Sequence, residues 1–216
     1  MPSKCPLCLQ KNTEHIFYQA LHRNREFLSC CECGLTFVNR SDLLSFTSEK
    51  ERYQEHQNHL RTKGYEKFLR RIINPIEKIF PKSARGLDYG QGPYPMLQEI
   101  MHDDGYENVF GFDPHFANHQ SVFDNKYDFI ILSEVFEHMN RPRDEFDLLL
   151  KILNPGGALA FSTGILYSER KLQQWSYTFD ETHINFVSPK TIRWMGERFS
   201  LDLIFEAKDI FIFEKK

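Results

Sequence analysis

The chain has 216 residues, 41% hydrophobic and 14% aromatic, with 27 Lys/Arg against 30 Asp/Glu and a net charge of −3. That length holds one ordinary domain with a small appendage, and the near-neutral charge excludes a global nucleic-acid footprint. No apolar run approaches the ~20 residues of a membrane span and "MPSKCPLC" lacks a signal-peptide core, so a cytoplasmic protein with no membrane partner is expected.

Residues 1–40 carry short strand-like runs, "EHIFYQALHRNREFLSC" and "GLTFVNR", with too few apolar residues for a stable core of their own. All five cysteines lie here. A reducing compartment argues against disulfides and for a metal site or a redox pair. Cys5-x2-Cys8 and Cys30-x2-Cys33 are 21 residues apart, the spacing of a four-thiolate zinc ribbon in which each knuckle offers two thiolates to one tetrahedral Zn²⁺. Gly34 permits the tight turn after the last ligand, and Cys31 is the spare. Free structural thiols are the plainer alternative. The metal is expected to be structural.

Residues 41–82 read as a helical linker capping the core. Tyr65, Phe68, Leu69, Ile72 and Ile73 recur at helical spacing, with breaks expected at Gly64 and Pro75. Ten Lys/Arg against five Glu between Glu49 and Arg85 give either a solvated amphipathic face or a basic one.

From residue 83 to 216 strands and helices alternate. "RGLDYG", "ENVFGFDP", "YDFIILSE" and "ALAFSTG" read as strands, while "YPMLQEIMHDDG" and "RPRDEFDLLLKIL" read as helices. After an insertion come the helix "SPKTIRWMGERF" and the closing strands "LDLIFEAK" and "DIFIFEKK". This order implies an α/β fold, a mainly parallel Rossmann-like sheet with a C-terminal β-hairpin, preceded by the ribbon.

"GLDYGQGP" places Asp88, Gly90 and Gly92 where the first strand turns into a helix, letting backbone N–H groups approach a ligand closely. Asp113 ends the second strand, where an acid can accept both hydroxyls of a ribose. A full G-x-G-x-x-G is absent, which favours an adenosine-containing cofactor without a pyrophosphate.

"GLDYGQGP", "GFDP", "YDFIILSEVFEH" and "LLLKILNPGGALAFST", in that order, resemble the motifs of class I S-adenosylmethionine (SAM)-dependent methyltransferases. The resemblance implies SAM as cofactor. Gly90 and Gly92 would line its methionine part, Asp113 would hold the ribose, Asp88 would support the turn, and Pro114 and Phe116 would flank the adenine. Glu134 joins this cofactor-binding set. Tyr94 stands where the family has a third glycine, and the segment from Asp113 to Tyr127 is short for the usual third strand. "CPLC…CCECGLTFV" followed by "RYQEHQN" and "GYEKFL" resembles a bacterial subgroup with such a ribbon, in which Tyr53, His56 and Asn58 would close the SAM pocket.

"LSEVFEHMN" sets Glu134, Glu137 and His138 beyond a buried strand, where open parallel sheets bind ligands. A helix starting at Glu134 would bring the three onto one face; a solvated helix start with acids complementing the dipole is the plain alternative. Three roles stay open. His138 would serve as a general base, the pair would only shape the SAM pocket, or Glu134, Glu137, His138 and His183 would hold a second divalent metal. E-x-x-E-H with a later His is similar to metal sites of small-RNA 2′-O-methyltransferases and quinone-biosynthesis O-methyltransferases. In the insertion, Trp175, Tyr177 and Phe179 alternate, as a strand face, a lid or core would. The expected function is methyl transfer from SAM to an oxygen or nitrogen of a small-molecule acceptor. The alternatives are an RNA methyltransferase gripping RNA with the ribbon and the basic face, and a non-catalytic SAM-fold interaction module.

Overall fold

A computed structural model describes residues 4–19, 25–54 and 61–216. Near the N-terminus, short runs of Thr, Ile, Phe and Tyr suit a pleated surface and form the antiparallel strands β1 (Thr13–Gln19), β2 (Arg25–Cys30) and β3 (Thr36–Val38). Two turns precede and follow the first hairpin: Leu9 N–H donates to Cys5 O at 3.0 Å and Gly34 N–H to Cys30 O at 2.9 Å. They are the two cysteine knuckles.

Helix α1 (Phe46–Gln54) and helix α2 (Lys63–Ile79) come next. Thr62 caps α2, its hydroxyl accepting from Tyr65 N–H at 3.1 Å. Contrary to the expected breaks, α2 runs through Gly64 and Pro75. An interior proline costs ~3 kcal/mol, but α2 buries Leu69, Ile72, Ile73 and Ile76 on one face. Each such side chain contributes ~1.5–3 kcal/mol, which outweighs the proline.

The alternating half then builds β4 (Gly86–Tyr89), α3 (Met96–Asp103), β5 (Val109–Phe112), β6 (Tyr127–Ser133), α4 (Pro142–Ile152) and β7 (Leu153–Ser162). After the insertion come β8 (Asn185–Phe186), α5 (Pro189–Phe199), β9 (Leu201–Ala207) and β10 (Ile210–Lys215). The main sheet has the order β5-β4-β6-β7-β10-β9. β5, β4, β6 and β7 are parallel, and β10 runs antiparallel to both β7 and β9. The closing hairpin is therefore the antiparallel edge of a parallel sheet.

Both faces are covered, which is why β6 reads as a continuous apolar run from Phe129 to Leu132. Phe129 and Ile131 pack with Ile72, Ile73, Leu97 and Ile100 of α2 and α3. Ile130 and Leu132 pack with Phe146, Leu149, Ile192 and Met195 of α4 and α5. At the β5 edge the short segment to Tyr127 forms an Asp113–Ala117 bridge and a 3-10 turn, Gln120–Asp124, where a further strand would lie.

The N-terminal sheet takes a fourth strand from far along the chain. Its order is β1-β2-β3-β8, with Thr36 opposite Phe186. The rest of the insertion is not a strand. Trp175, between two 3-10 turns, stacks at 4.8 Å on Tyr177 of the second; both pack on Phe186, and Phe179 is exposed. Among the described residues, no helix is long and apolar enough to cross a membrane.

Candidate active site

The carboxyl ends of β4, β5 and β6 open into a cavity of about 820 Å³. Asp88, Gly90, Gly92, Asp113, Pro114, Glu134, Glu137, His138 and His183 all line it. Residues more than ninety positions apart in sequence thus meet in one concavity.

One end is the glycine turn. Gly90 has φ +83°, and a Cβ there would lie 2.6 Å from Val135 Cγ2, so only glycine lets the turns after β4 and β6 touch. Gly92 N–H donates to Asp113 Oδ2 at 2.9 Å, while Asp113 Oδ1 accepts from His115 N–H at 2.8 Å and Phe116 N–H at 3.1 Å. A carboxylate has about four acceptor positions, so Asp113 keeps capacity for a ligand hydroxyl. Asp88 is buried beneath the turn; burial pushes its pKa up to about 7 against a hydrogen bond from Gln98.

The other end differs from the expected helix start. Glu134 takes a left-handed backbone, φ +54°, and only Phe136–His138 forms a 3-10 turn. The i, i+3, i+4 face therefore does not exist. Glu134 and Glu137 meet instead around a tyrosine. Tyr177 donates to Glu137 Oε1 at 2.6 Å, and its oxygen lies 3.3 Å from Glu134 Oε2. Thr163 Oγ1 donates to Glu137 Oε2 at 2.9 Å. Glu134 Oε1 is buried with no partner among the described residues. Burial first, then the charge of Glu137, raises the Glu134 pKa to about 7, and burial raises that of Glu137 as well.

His138 and His183 complete this end, their rings 4.7 Å apart. His138 Nδ1 sits 3.0 Å from Thr182 O and His183 Nδ1 2.7 Å from Tyr177 O. A carbonyl only accepts, so each Nδ1 carries a proton. Burial, then the charge of His138, lowers the His183 pKa to about 4, which keeps that ring neutral at pH 7. Glu137, His138 and His183 each offer one ligand atom, all within 4.8 Å of one another. Glu134 is not in this set: its left-handed backbone turns the carboxylate toward Tyr177. The three could hold a metal.

Helices α1 and α2 roof the cavity with Phe46, Tyr53, Tyr65 and Phe68. Phe46 stacks on His115 at 4.1 Å, and the Tyr53 ring meets those of His115 and His138 edge-on at 5.3 and 5.2 Å. Glu49 is 6% exposed, with Oε2 3.7 Å from His115 Nε2. Glu49, His115 and Tyr177 were not legible as a group, since they come from three separate stretches with no shared motif. His56 and Asn58 lie outside the described residues.

The four cysteines gather elsewhere, at the two knuckle turns that flank β1 and β2. Cys5, Cys8, Cys30 and Cys33 are buried, with sulfur pairs at 3.6 Å (Cys5–Cys33) and 3.4 Å (Cys8–Cys30). A tetrahedron with Zn–S ≈ 2.3 Å sets sulfurs ~3.8 Å apart, so the cage fits a zinc ribbon. Cys31 stands outside it, partly exposed. Hydrogen bonds from Cys33 and then Cys5 hold Cys30 below the ordinary thiol range.

Residues 55–205 match a family of methyltransferase domains. No curated protein matches. Similar solved structures include a chain from a Haloferax volcanii complex of the Trm112 methyltransferase activator with a protein assigned there as a methyltransferase. It has 17% identity over 72% of this chain and 77% of that one, with a TM-score of 0.53. Magnesium protoporphyrin IX methyltransferase from Synechocystis PCC 6803, with bound SAH, has 11% identity over 82% and 97%, and a TM-score of 0.53. An O-methyltransferase family protein from Burkholderia thailandensis has 14% identity over 78% of this chain and a TM-score of 0.51; this chain spans 63% of that protein. At these identities the likeness shows the fold. The family match, which covers well over half of the chain, goes further: the chain belongs to the methyltransferase-domain family and is a SAM-dependent methyltransferase.

Proposed function

We propose that the protein transfers the methyl group of SAM to an oxygen or nitrogen of a small-molecule acceptor. SAM lies along the glycine turn and Asp113, with Asp88, Pro114 and Glu134 beside it, and the acceptor lies toward Glu137, His138 and His183. The observation that carries this reading is the continuity of the two ends in one roofed cavity of about 820 Å³. That volume is in the upper part of the ~300–1,000 Å³ typical of small-molecule sites. Positioning supplies most of the rate, since the sulfonium is already an activated donor.

A small acceptor is favoured over RNA by the charges. Among the described residues lining the cavity none is Lys or Arg, whereas phosphate recognition relies on them. Part of the basic stretch is neutralised within the fold: Arg61 pairs with Glu66 and Asp103, Arg70 with Asp104 and Glu66, and Arg71 with Asp209.

A metal-assisted version has its own support. Both histidines fix Nδ1–H on a carbonyl, a bond of the kind that orients imidazoles in metal sites. Glu137, His138 and His183 would hold a divalent cation, which would supply a Lewis acid lowering the pKa of an acceptor hydroxyl. In the ribbon, Cys5, Cys8, Cys30 and Cys33 hold a structural Zn²⁺.

The test is calorimetric titration with SAM and with S-adenosylhomocysteine, with and without Mg²⁺, Mn²⁺ or Zn²⁺, followed by an acceptor screen scored by S-adenosylhomocysteine release. Saturable SAM binding and turnover on a small hydroxyl or amine are expected. Turnover on RNA alone would overturn the acceptor assignment, and absence of SAM binding by the folded protein would overturn the whole reading.

A further inference from the structure

One side chain ties the N-terminal sheet to the reaction site. Arg25, on β2, is 2% exposed. Its guanidinium donates to the carbonyls of Asp180 at 3.3 Å, Glu181 at 3.2 Å and His183 at 3.2 Å, and to that of Thr178. A guanidinium presents five N–H donors in a rigid planar fork, so one arginine can gather several carbonyls of a tight turn. The turn it gathers, residues 178–183, is the one that delivers His183.

The opposite side of the same turn is bonded to the Glu137–His138 segment. Thr182 O accepts from His138 Nδ1–H at 3.0 Å, and Ile184 N–H donates to Glu137 O at 2.7 Å. Asn185 Nδ2 donates to Phe136 O at 3.2 Å and Met139 O at 2.7 Å. Toward the ribbon, Val38 N–H donates to Ile184 O at 2.9 Å and Arg40 to Asn185 Oδ1 at 3.0 Å. The turn and the residues after it are thus bonded to both parts. Thr182 O, which selects the His138 tautomer, lies between two carbonyls that Arg25 holds.

We propose that Arg25 is a positioning residue for His138 and His183. Through it the N-terminal sheet sets the tautomer and orientation of both imidazoles, so that the four-cysteine centre governs methyl transfer while taking no part in the reaction. Without the guanidinium, four carbonyls in buried or part-buried bonds lose a donor, and such groups draw the turn toward water. The His138 Nδ1–H then loses its fixed acceptor. The proposal rests on the reading that these histidines lie at the acceptor end, but its test does not need an acceptor.

The experiment uses the full chain with ¹⁵N-labelled histidine and long-range ¹H–¹⁵N correlation at pH 8, where neutral rings report tautomers. Signals are assigned with His138→Gln and His183→Gln. The wild type should show both rings as Nδ1–H tautomers. In Arg25→Gln and Arg25→Lys the two nitrogens of His138 should move toward averaged shifts, while the SAM dissociation constant stays within about threefold; partners of this kind change site function about 10- to 100-fold when removed. Removing the ribbon's metal from the wild type with a chelator should move the same signals, which serves as the second perturbation if the Arg25 variants do not fold. Unchanged histidine signals in folded variants, or after metal removal, overturn the proposal. So does loss of SAM binding together with the histidine change, because Arg25 would then support the fold as a whole. Failure of the wild type to bind SAM would instead strike the proposed function and leave the histidine readout standing.

Discussion

Tyr177 donates its hydroxyl proton to Glu137 Oε1 at 2.6 Å while accepting from Gly164 N–H at 3.0 Å, so a single phenol joins the acid after β6 to the turn after β7. Glu137 is fully buried, and its other oxygen has Thr163. Tyr177→Phe should destabilise the protein by about 1–3 kcal/mol, the cost of leaving a buried polar partner unmade. In a chain of this size that lowers Tm by about 2–4 °C per kcal/mol. Scanning calorimetry of Tyr177→Phe, Thr163→Val and the double variant checks it. Because both hydroxyls serve one carboxylate, the double variant should deviate from additivity; strict additivity would mean the three groups do not act as a unit.

Asp113 bonds the turn on one oxygen and the following loop on the other. Asp113→Ala should therefore abolish measurable SAM binding. Asp113→Asn keeps one acceptor oxygen and should weaken binding by about 1.5–3 kcal/mol, the contribution of a hydrogen bond to a charged group. Titration calorimetry distinguishes them. Equal affinity of Asp113→Ala and wild type would remove Asp113 from the cofactor site.

What the sequence made legible is local or periodic. The apolar run of β6 announces a strand buried on both faces, and the cysteine spacing announces a cage whose sulfurs do come together. The glycine turn and Asp113 were placed by their positions at strand ends. Arg25 carried no signal, because its acceptors are backbone carbonyls that any sequence possesses. The left-handed φ of Glu134 has no local mark either, and it brings the Glu134 carboxylate to Tyr177 in place of a helical face. Pro75 misled for the opposite reason: its local rule is sound, but tertiary burial of the α2 face overrode it.

The buried acid of α1 gives a pH signature. Burial, then the charge of Glu145, raises the Glu49 pKa from 4.5 to about 7. Between those values the folded state holds a proton that the unfolded state has lost, so this group's contribution to stability falls as pH rises from 4.5 to 7. Neighbouring His115 works the other way, since burial lowers its pKa and it becomes easier to fold as pH rises toward its unfolded value. Glu49→Gln isolates the first effect. Its unfolding free energy relative to wild type should be flat near pH 4.5 and climb to a plateau above 7, by on the order of 1–3 kcal/mol. A difference independent of pH would mean Glu49 is not desolvated in solution.

The ribbon predicts a stoichiometry and a reactivity pattern. Native mass spectrometry should find one zinc per chain in the ribbon. With the metal bound, alkylation should label partly exposed Cys31 and spare the four buried cysteines. Cys33→Ser should lose the metal and unfold the N-terminal sheet, because a structural site contributes its binding free energy to folding. Rapid labelling of all five thiols in the metal-loaded protein would contradict the cage.

Two glycines of the same turn should respond differently to one methyl group. Gly92 has φ +70° with nothing within 4 Å of an added Cβ, whereas at Gly90, φ +83°, the Cβ would press on Val135 Cγ2 at 2.6 Å. Gly92→Ala carries only the left-handed strain, about 1–2 kcal/mol. Gly90→Ala adds a clash between the turns that form the floor of the cavity, so it should cost clearly more in Tm and displace the start of the Glu134–His138 segment. Val135→Ala removes the obstructing methyls and should restore part of the loss in Gly90→Ala but none in Gly92→Ala. Thermal unfolding and SAM titration of the four variants test this. Rescue of both glycine variants by Val135→Ala would mean the turn yields through general loosening rather than through that contact.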